Sequence, residues 1–328
     1  MKYRTLGKTG FQVSEISLGT WQVGGKWGSV FDDANAEKII NKAIDNGINF
    51  IDTADVYSDG RSEKAVAKVV KSRKEKVYIA TKCGRQIQPH IAEGYTVDVL
   101  RKYVDESLKN MNLESLDLIQ LHCPPTEVFY RQEIFELFDK LKIEGKIKNL
   151  GVSVEKVEEA LKAINYPNVT TIQIIFNMFR QRPAELFFKE AEKKNIGIIV
   201  RVPLASGLLA GKFSKNTQFE SKDHRNFNRE GKYFDKGETF SGIEYETGLE
   251  AVEELKKLFP DYNNLAPIAL KWILMYKEIS CIIPGASKVD QVISNLETEK
   301  APELTPEKLN KINDIYNKYI KNQVHHRW

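Results

Sequence analysis

The chain has 328 residues, of which 41% are hydrophobic and 29% are charged, an ordinary composition for a globular protein. Its 49 basic and 45 acidic residues leave a net charge of +4, spread along the sequence, so we expect no nucleic-acid partner. No run of about 18 apolar residues occurs, so we expect no membrane span. Cys83, Cys123 and Cys281 have no metal-ligand spacing and the N-terminus lacks an apolar signal segment, which indicates a reducing cytoplasm.

Short runs of apolar residues recur along the chain and predict eight β-strands. Each run is almost continuously apolar rather than alternating, which is typical of strands that are covered on both faces. The predicted strands are residues 15–18, 48–51, 77–81, 116–121, 148–152, 171–175, 196–202 and 279–283.

Segments with helical spacing lie between these strands. Asp32 or Asp33 can cap the first helix, and Gly47 can end it in the left-handed conformation. Apolar residues recur at helical intervals at Ala36, Ile39, Ile40, Ala43 and Ile44, at Val97, Leu100, Val104, Leu108 and Met111, and at Ala184, Phe187, Phe188 and Ala191. Eight strand–helix units without a linker favour an α/β fold, a (β/α)8 TIM barrel forming one domain over residues 1–328. The alternative is a doubly wound open sheet.

Two segments fall outside the repeat. Residues 1–14 predict a small β-hairpin, with Gly7 and Gly10 in its turns, that precedes the first barrel strand. Residues 210–245 form a long polar stretch after the seventh strand, and loops of this length are uncommon unless they are functional or disordered. We interpret this stretch as a lid or cofactor clamp, the alternative being an inert insertion.

Polar residues stand at or just beyond the ends of the predicted strands. Each has an ordinary explanation when taken alone: a strand-end aspartate often caps a helix, and a lysine often reaches to water. In a barrel, however, the carboxyl ends of all strands converge on one mouth, where active sites lie, so together these residues predict a shared site. They are Asp52, Tyr57, Lys82, His122, Ser153, Gln173, Asn177 and Arg201.

This set of side chains suits the reduction of a carbonyl group. The reaction needs a hydride, which no side chain supplies, and an acid that protonates the developing alkoxide. Tyr57 is the candidate acid, but a free tyrosine has a pKa of about 10. An ammonium such as Lys82, about 4 Å away, could lower that pKa by an interaction of roughly 4 kcal/mol. Asp52 would keep Lys82 charged, and His122 would orient the carbonyl oxygen or assist the proton transfer.

Residues 49–57, NFIDTADVY, resemble the second-strand signature of the aldo-keto reductases. The later pairs Thr81-Lys82 and Leu121-His122 follow in that family's order, as do 151–153 (GVS), 173–177, the early LGTW at 18–21 and the late IPGAS at 283–287. The resemblance covers nearly the whole chain. It implies that Asp52, Tyr57, Lys82 and His122 form a catalytic tetrad and that the cofactor is NADP(H), bound without a Rossmann fingerprint.

The resemblance also implies a set of cofactor contacts. Gly19, Thr20, Trp21, Asp52 and Arg201 would line the nicotinamide, and Trp21, Tyr57 and His122 would also contact the substrate. The carboxamide would be held by Ser153, Gln173 and Asn177, and the pyrophosphate by Pro203, Leu204, Ser206, Gly207 and Lys212. The adenosine end and its 2′-phosphate would be held by Ser287, Lys288, Gln291 and Asn295, near Pro284 and Gly285, with further charge from Arg225.

Two positions depart from the family pattern. Many members have an aromatic residue where this chain has Arg201, and the charge of a guanidinium stacked there would disfavour the cationic oxidised nicotinamide. We therefore hypothesise that Arg201 biases binding toward the reduced cofactor. Many members also have an arginine at the position of Gln291. Gln291 with Ser287 instead resembles the branch that contains the potassium-channel β subunits, where NADP is still bound.

Two alternatives to a carbonyl reductase remain open from the sequence. A regulatory, cofactor-bearing subunit with little turnover is one, although the channel subunits have asparagine where this chain has His122. An aldolase that forms a Schiff base on Lys82 is another.

Trp21, Trp27, Tyr57 and Phe227 suggest an apolar pocket, and residues 24–28 suggest a flexible loop that shapes it. The sequence identifies neither the carbonyl substrate nor the oligomeric state.

Overall fold

Eight parallel strands form the central sheet of the computed structural model, which describes residues 1–25 and 30–328. Each strand pairs with the next one along the chain, and parallel bridges from Ile16 to Ile282 and from Gly19 to Gly285 join the last strand to the first. The sheet therefore closes into a barrel, so the predicted (β/α)8 fold is confirmed and the open-sheet alternative is wrong. The strands are β1 Tyr3–Thr5, β2 Gln12–Ser14, β3 Leu18–Gly19, β4 Phe50–Asp52, β5 Tyr78–Cys83, β6 Leu118–His122, β7 Leu150–Ser153, β8 Val169–Ile175, β9 Gly197–Arg201 and β10 Ile279–Ile282.

Several barrel strands extend further toward their carboxyl ends than the apolar runs predicted. Asp52, Cys83, His122 and Ser153 continue β4 to β7 because their backbones still pair with the neighbouring strand. The first predicted strand, 15–18, overlaps β3 only at Leu18, although the backbones of Glu15 and Ser17 still hydrogen-bond to that of Ile282 across the closure. The predicted strands ended where the apolar residues ended, because polarity was the criterion. The backbones of the polar residues that follow nevertheless make the hydrogen bonds of the sheet.

The interior of the barrel changes from apolar to polar along the strands. Since alternate strand residues face the same side, Phe50 is followed inward by Asp52, Ala80 by Lys82, and Leu118 by Gln120. The predicted N-terminal hairpin, β1 and β2, is confirmed and closes the apolar end of the barrel. Its Leu6, Phe11 and Val13 pack against the interior apolar cluster. The polar layer therefore lies at the opposite, carboxyl-terminal end.

The helices surround the sheet and follow the predicted apolar faces. All five apolar residues predicted for the first helix are buried; Asp32 caps it by accepting from Asn35 N, and Gly47 adopts φ +87° beyond its end. None of the helices in the described ranges is both long and apolar enough to cross a bilayer. The helices are α1 Asp33–Asp45, α2 Arg61–Ser72, α3 Val97–Met111, α4 Gln132–Ile143, α5 Val157–Ala163, α6 Phe187–Lys193, α7 His224–Phe227, α8 Tyr245–Leu258, α9 Ala266–Leu274, α10 Val289–Leu296, α11 Pro306–Ile315 and α12 Lys321–Val324.

The long segment at 210–245 packs over the carboxyl-terminal end of the barrel. Its α7 places His224 against Trp21, with ring centroids 4.6 Å apart, and Phe234 lies 6.0 Å from the same indole. Further along, Glu238 pairs with Arg85 just beyond β5 and with Arg201 at the end of β9. These contacts favour the lid or clamp interpretation over an inert insertion.

Trp328 holds the segment at 210–245 in place through contacts with Asp235 and Arg180. Its indole N–H donates to Asp235 at 2.8 Å, and the guanidinium of Arg180 lies 4.0 Å from the centre of its ring. A side chain at Gly237 would collide with Arg180 and approach the indole at 3.0 Å, and one at Gly242 would approach it at 2.5 Å. The indole thus fills a slot that only these two glycines leave open.

We expect Trp328→Ala to lower the free energy of unfolding by about 3 kcal/mol, the lower end of the range for aromatic truncations. Trp328→Phe keeps most of the ring and loses the hydrogen bond to Asp235, so it should cost only about 1 kcal/mol. Urea denaturation of the wild type and both variants measures the difference. An unchanged midpoint in Trp328→Ala would show that the slot contributes nothing to stability.

Candidate active site

A buried ion pair lies at the centre of the polar layer. The ammonium of Lys82 donates to a carboxylate oxygen of Asp52, and the two side chains are 1% and 2% exposed. The second carboxylate oxygen accepts from the side-chain amides of Gln120 at 3.0 Å and Gln173 at 2.8 Å. Register explains the meeting, because Lys82 and Gln120 are paired on adjacent strands. Asp52 is therefore held by three donors from three different strands.

Lys82 also contacts Tyr57. Its ammonium donates to the Tyr57 hydroxyl oxygen at 3.3 Å and to the backbone carbonyl of Thr53 at 2.8 Å. Burial lowers the pKa of Lys82, but the charge of Asp52 and the hydrogen bonds to Asp52 and Tyr57 raise it by more, so the group stays protonated. Since the Tyr57 oxygen accepts from Lys82, its own proton is free to point elsewhere.

The pKa of Tyr57 differs from the sequence-based expectation. Burial raises this pKa most, and although Lys82 lowers it, the charge of Asp52 raises it again, so the net direction is upward from 10. The expected net lowering of the pKa is therefore not found, because burial together with the Asp52 charge outweighs the Lys82 ammonium. The phenol consequently stays protonated in the resting protein.

His122 is neutral and lacks a partner on one ring nitrogen. Its ring lies 6.0 Å from that of Tyr57, edge to face, and its Nδ1 makes no hydrogen bond within the described part of the chain. Burial lowers the pKa of His122 well below 6.5, and the charges of Arg85, Lys82 and Arg201 add to this. An uncharged imidazole can donate its one N–H to a carbonyl oxygen. At neutral pH it lacks the second ring proton that an imidazolium would release as a general acid.

Four ionisable side chains form a network beside His122. Arg85 donates to Glu238 at 2.6 Å, while Arg201 donates to Glu155 at 2.7 Å and lies 3.2 Å from Glu238. Burial opposes the charge on Glu238, but Arg85 and Arg201 outweigh it and lower its pKa to about 2. Glu238 is thus an anion that ties the long segment to the ends of two strands.

This network bears on the hypothesis about Arg201. The residue lines the cavity at the barrel mouth, as expected, but Glu155 and Glu238 take up its guanidinium. The Glu238 carboxylate offsets part of the positive charge on which a bias toward the reduced cofactor would depend, whereas burial raises the pKa of Glu155 to about 8 and leaves it mostly neutral. The structure therefore weakens the physical basis of that hypothesis.

Two adjoining cavities open at the barrel mouth, and Tyr57 and His122 line both. The larger one has a volume of about 890 Å³ and extends between Tyr57 and α3. Its wall combines apolar and polar side chains; Trp21 and Tyr57 line it, as expected for the predicted pocket, whereas Phe227 does not. The expected loop at 24–28 includes Lys26, Trp27 and Gly28, which lie outside the described residues.

The smaller cavity, of about 230 Å³, gathers most of the residues predicted to contact the cofactor. Gly19 is tightly enclosed, since a side chain there would lie 2.7 Å from the Ile283 carbonyl oxygen. Ser206 and Gly207 have φ of +57° and +93°, which turns the backbone sharply after β9. The predicted residues in its wall are Gly19, Thr20, Trp21, Asp52, Gln173, Arg201, Pro203, Leu204, Ser206, Gly207, Arg225, Pro284, Gly285 and Gln291.

Six of the residues expected to contact the cofactor do not line this cavity. The Ser153 hydroxyl lies 3.3 Å from the sulfur of Cys123. The side-chain amide of Asn177 donates to the Val202 carbonyl oxygen and to the Ser241 hydroxyl. The others are Lys212, Ser287, Lys288 and Asn295. Near the start of α10, the Gln291 side-chain oxygen accepts from the backbone N–H groups of Ser287 and Lys288.

Sequence reasoning missed Arg85, Gln120, Glu155 and Glu238. The alternating pattern could have found Gln120, because it precedes His122 by two residues and therefore faces the same interior. Arg85 and Glu155 lie two residues past the ends of β5 and β7, so strand-end reasoning could have reached them too. No local signal points to Glu238, which reaches the site only through the fold of the long segment.

Comparison with known proteins adds evidence independent of this geometry. The profile described as the aldo/keto reductase family matches residues 15–317. The chain belongs to the aldo/keto reductase family. Membership supports an oxidoreductase that acts on carbonyl compounds and uses a nicotinamide cofactor.

Individual relatives span both branches that the sequence resembles. Aldo-keto reductase YhdN of Bacillus subtilis (strain 168) is 30% identical over 302 residues, covering 89% of this chain and 87% of YhdN. A putative voltage-gated potassium channel subunit beta of Schizosaccharomyces pombe is 30% identical over 342 residues, covering 96% and 93%. Among solved structures, glycerol dehydrogenase AKR11B4 from Gluconobacter oxydans has a TM-score of 0.77 at 29% identity, covering 97% and 95%. This aldo/keto reductase thus resembles both bacterial enzymes and channel subunits.

Proposed function

We propose that this aldo/keto reductase is an NADP(H)-dependent enzyme that reduces aldehydes or ketones to alcohols, with Tyr57 as general acid. The observation that carries the proposal is the single ammonium of Lys82, which donates to Asp52 and to the Tyr57 hydroxyl oxygen at once. That arrangement favours proton release from Tyr57, because a nearby cation stabilises the phenolate that results. A nicotinamide cofactor would supply the hydride, which no side chain can provide.

The roles of the other residues follow from their contacts. Asp52 keeps Lys82 charged and oriented, since it accepts from Lys82, Gln120 and Gln173 together. His122, being neutral, orients the carbonyl oxygen by a hydrogen bond rather than acting as the acid. Trp21, Tyr57 and His122 line both cavities and are the proposed substrate contacts.

The smaller cavity fits a nicotinamide cofactor. The protein backbone lines it closely at Gly19 and turns sharply beside it at Ser206 and Gly207. Gln291, near the start of α10, also lies in its wall. Of the cations expected near the cofactor phosphates, Arg225 already makes two side-chain hydrogen bonds to the Asp223 carboxylate, whereas Lys212 and Lys288 are exposed. We therefore assign the recognition of that phosphate chiefly to Lys288.

Lys288→Gln should raise the KM for NADPH about 10-fold, the loss expected for one charge-assisted hydrogen bond. The KM for NADH, which lacks the 2′-phosphate, should stay nearly constant. Lys300→Gln removes an equally exposed lysine beyond α10 and serves as the matched control. An equal rise in KM for both cofactors would contradict the assignment.

The direct test is a screen of NADPH oxidation over aldehydes, ketones and sugars. Turnover with any of them supports an enzyme; slow oxidation of bound NADPH without turnover supports the second candidate, a regulatory subunit, which the channel-subunit relative favours. The aldolase alternative loses support, because Lys82 is a protonated donor to three oxygens rather than a free amine. Failure of borohydride to trap a carbonyl compound on Lys82 would exclude it.

We also propose that residues 1–328 act as one barrel domain in a reducing, cytoplasmic compartment. Cys83, Cys123 and Cys281 are all buried and free, which is compatible with such a compartment. Labelling of the three thiols in the freshly isolated, denatured protein tests whether any of them is oxidised.

A further inference from the structure

Glu238 brings a carboxylate from the long segment into the barrel mouth. Its side chain is 14% exposed and lies in the wall of both cavities. One oxygen accepts from Arg85 at 2.6 Å, and the other lies 3.2 Å from a side-chain nitrogen of Arg201. The backbone carbonyl of Glu238 accepts from the Ser206 hydroxyl at 3.2 Å, which holds the residue beside the turn after β9. The proposed proton transfer does not use this carboxylate.

The charges in contact with Glu238 leave one positive charge in excess. Burial lowers the pKa of Arg85 and of Arg201, but nearby groups of opposite charge, Glu238 among them, raise it by more, so both stay charged. Burial opposes the charge of Glu238, but the two guanidinium groups lower its pKa to about 2. Glu155, which also contacts Arg201, is mostly neutral because burial raises its pKa to about 8. Two cations therefore share the one carboxylate of Glu238.

The smaller cavity brings these charges next to the position that a hydride donor must occupy. Arg201 and Glu238 lie in its wall together with Tyr57 and His122. A nicotinamide ring can transfer hydride only if it reaches the carbonyl group that Tyr57 protonates, so the ring has to bind at this end of the cavity. The ring is a cation when oxidised and neutral when reduced. Charges near it therefore change the affinities of the two forms by different amounts.

We propose that Glu238 is a specificity-determining residue that sets how the site discriminates between the oxidised and the reduced cofactor. This inference rests on the proposed use of NADP(H). With Glu238 in place, one excess positive charge rather than two lies beside the nicotinamide, so the oxidised cation binds with a smaller electrostatic penalty. The long segment thus supplies the counterion for Arg201, and both redox forms remain ligands of the same site.

The experiment measures the dissociation constants of NADP+ and NADPH by isothermal titration calorimetry, without a carbonyl substrate. Glu238→Gln removes the charge and keeps the size of the side chain, so the ratio of the NADP+ constant to the NADPH constant should rise about 10-fold. A change that merely loosened the long segment would raise both constants and leave the ratio constant. Glu238→Asp retains the charge and should keep the ratio within about threefold of wild type.

Two further variants test whether the charge itself is responsible. Arg201→Gln removes a cation, so the ratio should fall below that of wild type. The double variant Arg201→Gln/Glu238→Gln restores the wild-type excess of one positive charge, and its ratio should return to within about threefold of wild type. Glu230→Gln is the matched control, because Glu230 lies on the same segment and its side chain is 71% exposed.

A ratio that is unchanged in Glu238→Gln, or that rises equally in Glu238→Asp or in Glu230→Gln, overturns the inference while leaving the proposed function intact. If Glu238→Gln does not fold, Arg201→Gln carries the test, and a ratio that does not fall in that variant overturns the inference. A wild type that binds neither form of the cofactor overturns the proposed function itself, and this inference with it.

Discussion

Tyr57→Phe is expected to lower kcat for aldehyde reduction about 1,000-fold, within the range for removal of a general acid. The substitution removes one hydroxyl group and leaves the ring that lines both cavities. Stopped-flow oxidation of bound NADPH measures the chemical step directly. Because the cofactor contacts are unaltered, the dissociation constant for NADPH should change by no more than about twofold.

Tyr233→Phe is the control for this variant, since Tyr233 lies at the rim of the larger cavity and is 66% exposed. Its kcat should stay close to that of wild type. Activity retained in Tyr57→Phe would assign the acid to another group, and His122 is a poor candidate because it is neutral. That result would overturn the mechanism rather than the family.

Lys82→Met is expected to reduce both stability and activity. Removing one partner of a buried ion pair costs about 3–5 kcal/mol, because the remaining charge is left uncompensated. Asp52 would retain only the two amide donors of Gln120 and Gln173. The free energy of unfolding, measured by urea denaturation, should fall by this amount, and turnover should fall with it.

The double variant Asp52→Asn/Lys82→Met separates the two effects. Asparagine removes the buried charge and still offers an oxygen to Gln120 and Gln173, so most of the lost stability should return. Turnover should not return, because no cation is left to stabilise the Tyr57 phenolate. If activity recovered together with stability, Lys82 would be a structural residue only.

Local patterns in the sequence determined the barrel and the positions of its central site residues. Runs of apolar residues predicted the eight strands, since buried parallel strands have no solvent-facing side. Asp52, Lys82 and His122 could be found at their ends because the carboxyl ends of parallel strands converge on one mouth. The period of two along β6 also places Gln120 among them, because it lies two residues before His122.

Other properties of the site depend on contacts between residues far apart in the chain, which local spacing does not encode. Glu238 meets Arg85 and Arg201 only because the long segment folds over the mouth. The pKa of Tyr57 rises because burial and the Asp52 charge outweigh Lys82, a balance that requires the three-dimensional positions of all three groups. The order of the strands in the sequence therefore determined which residues form the centre of the site. The charges and pKa values of those residues depend on tertiary packing.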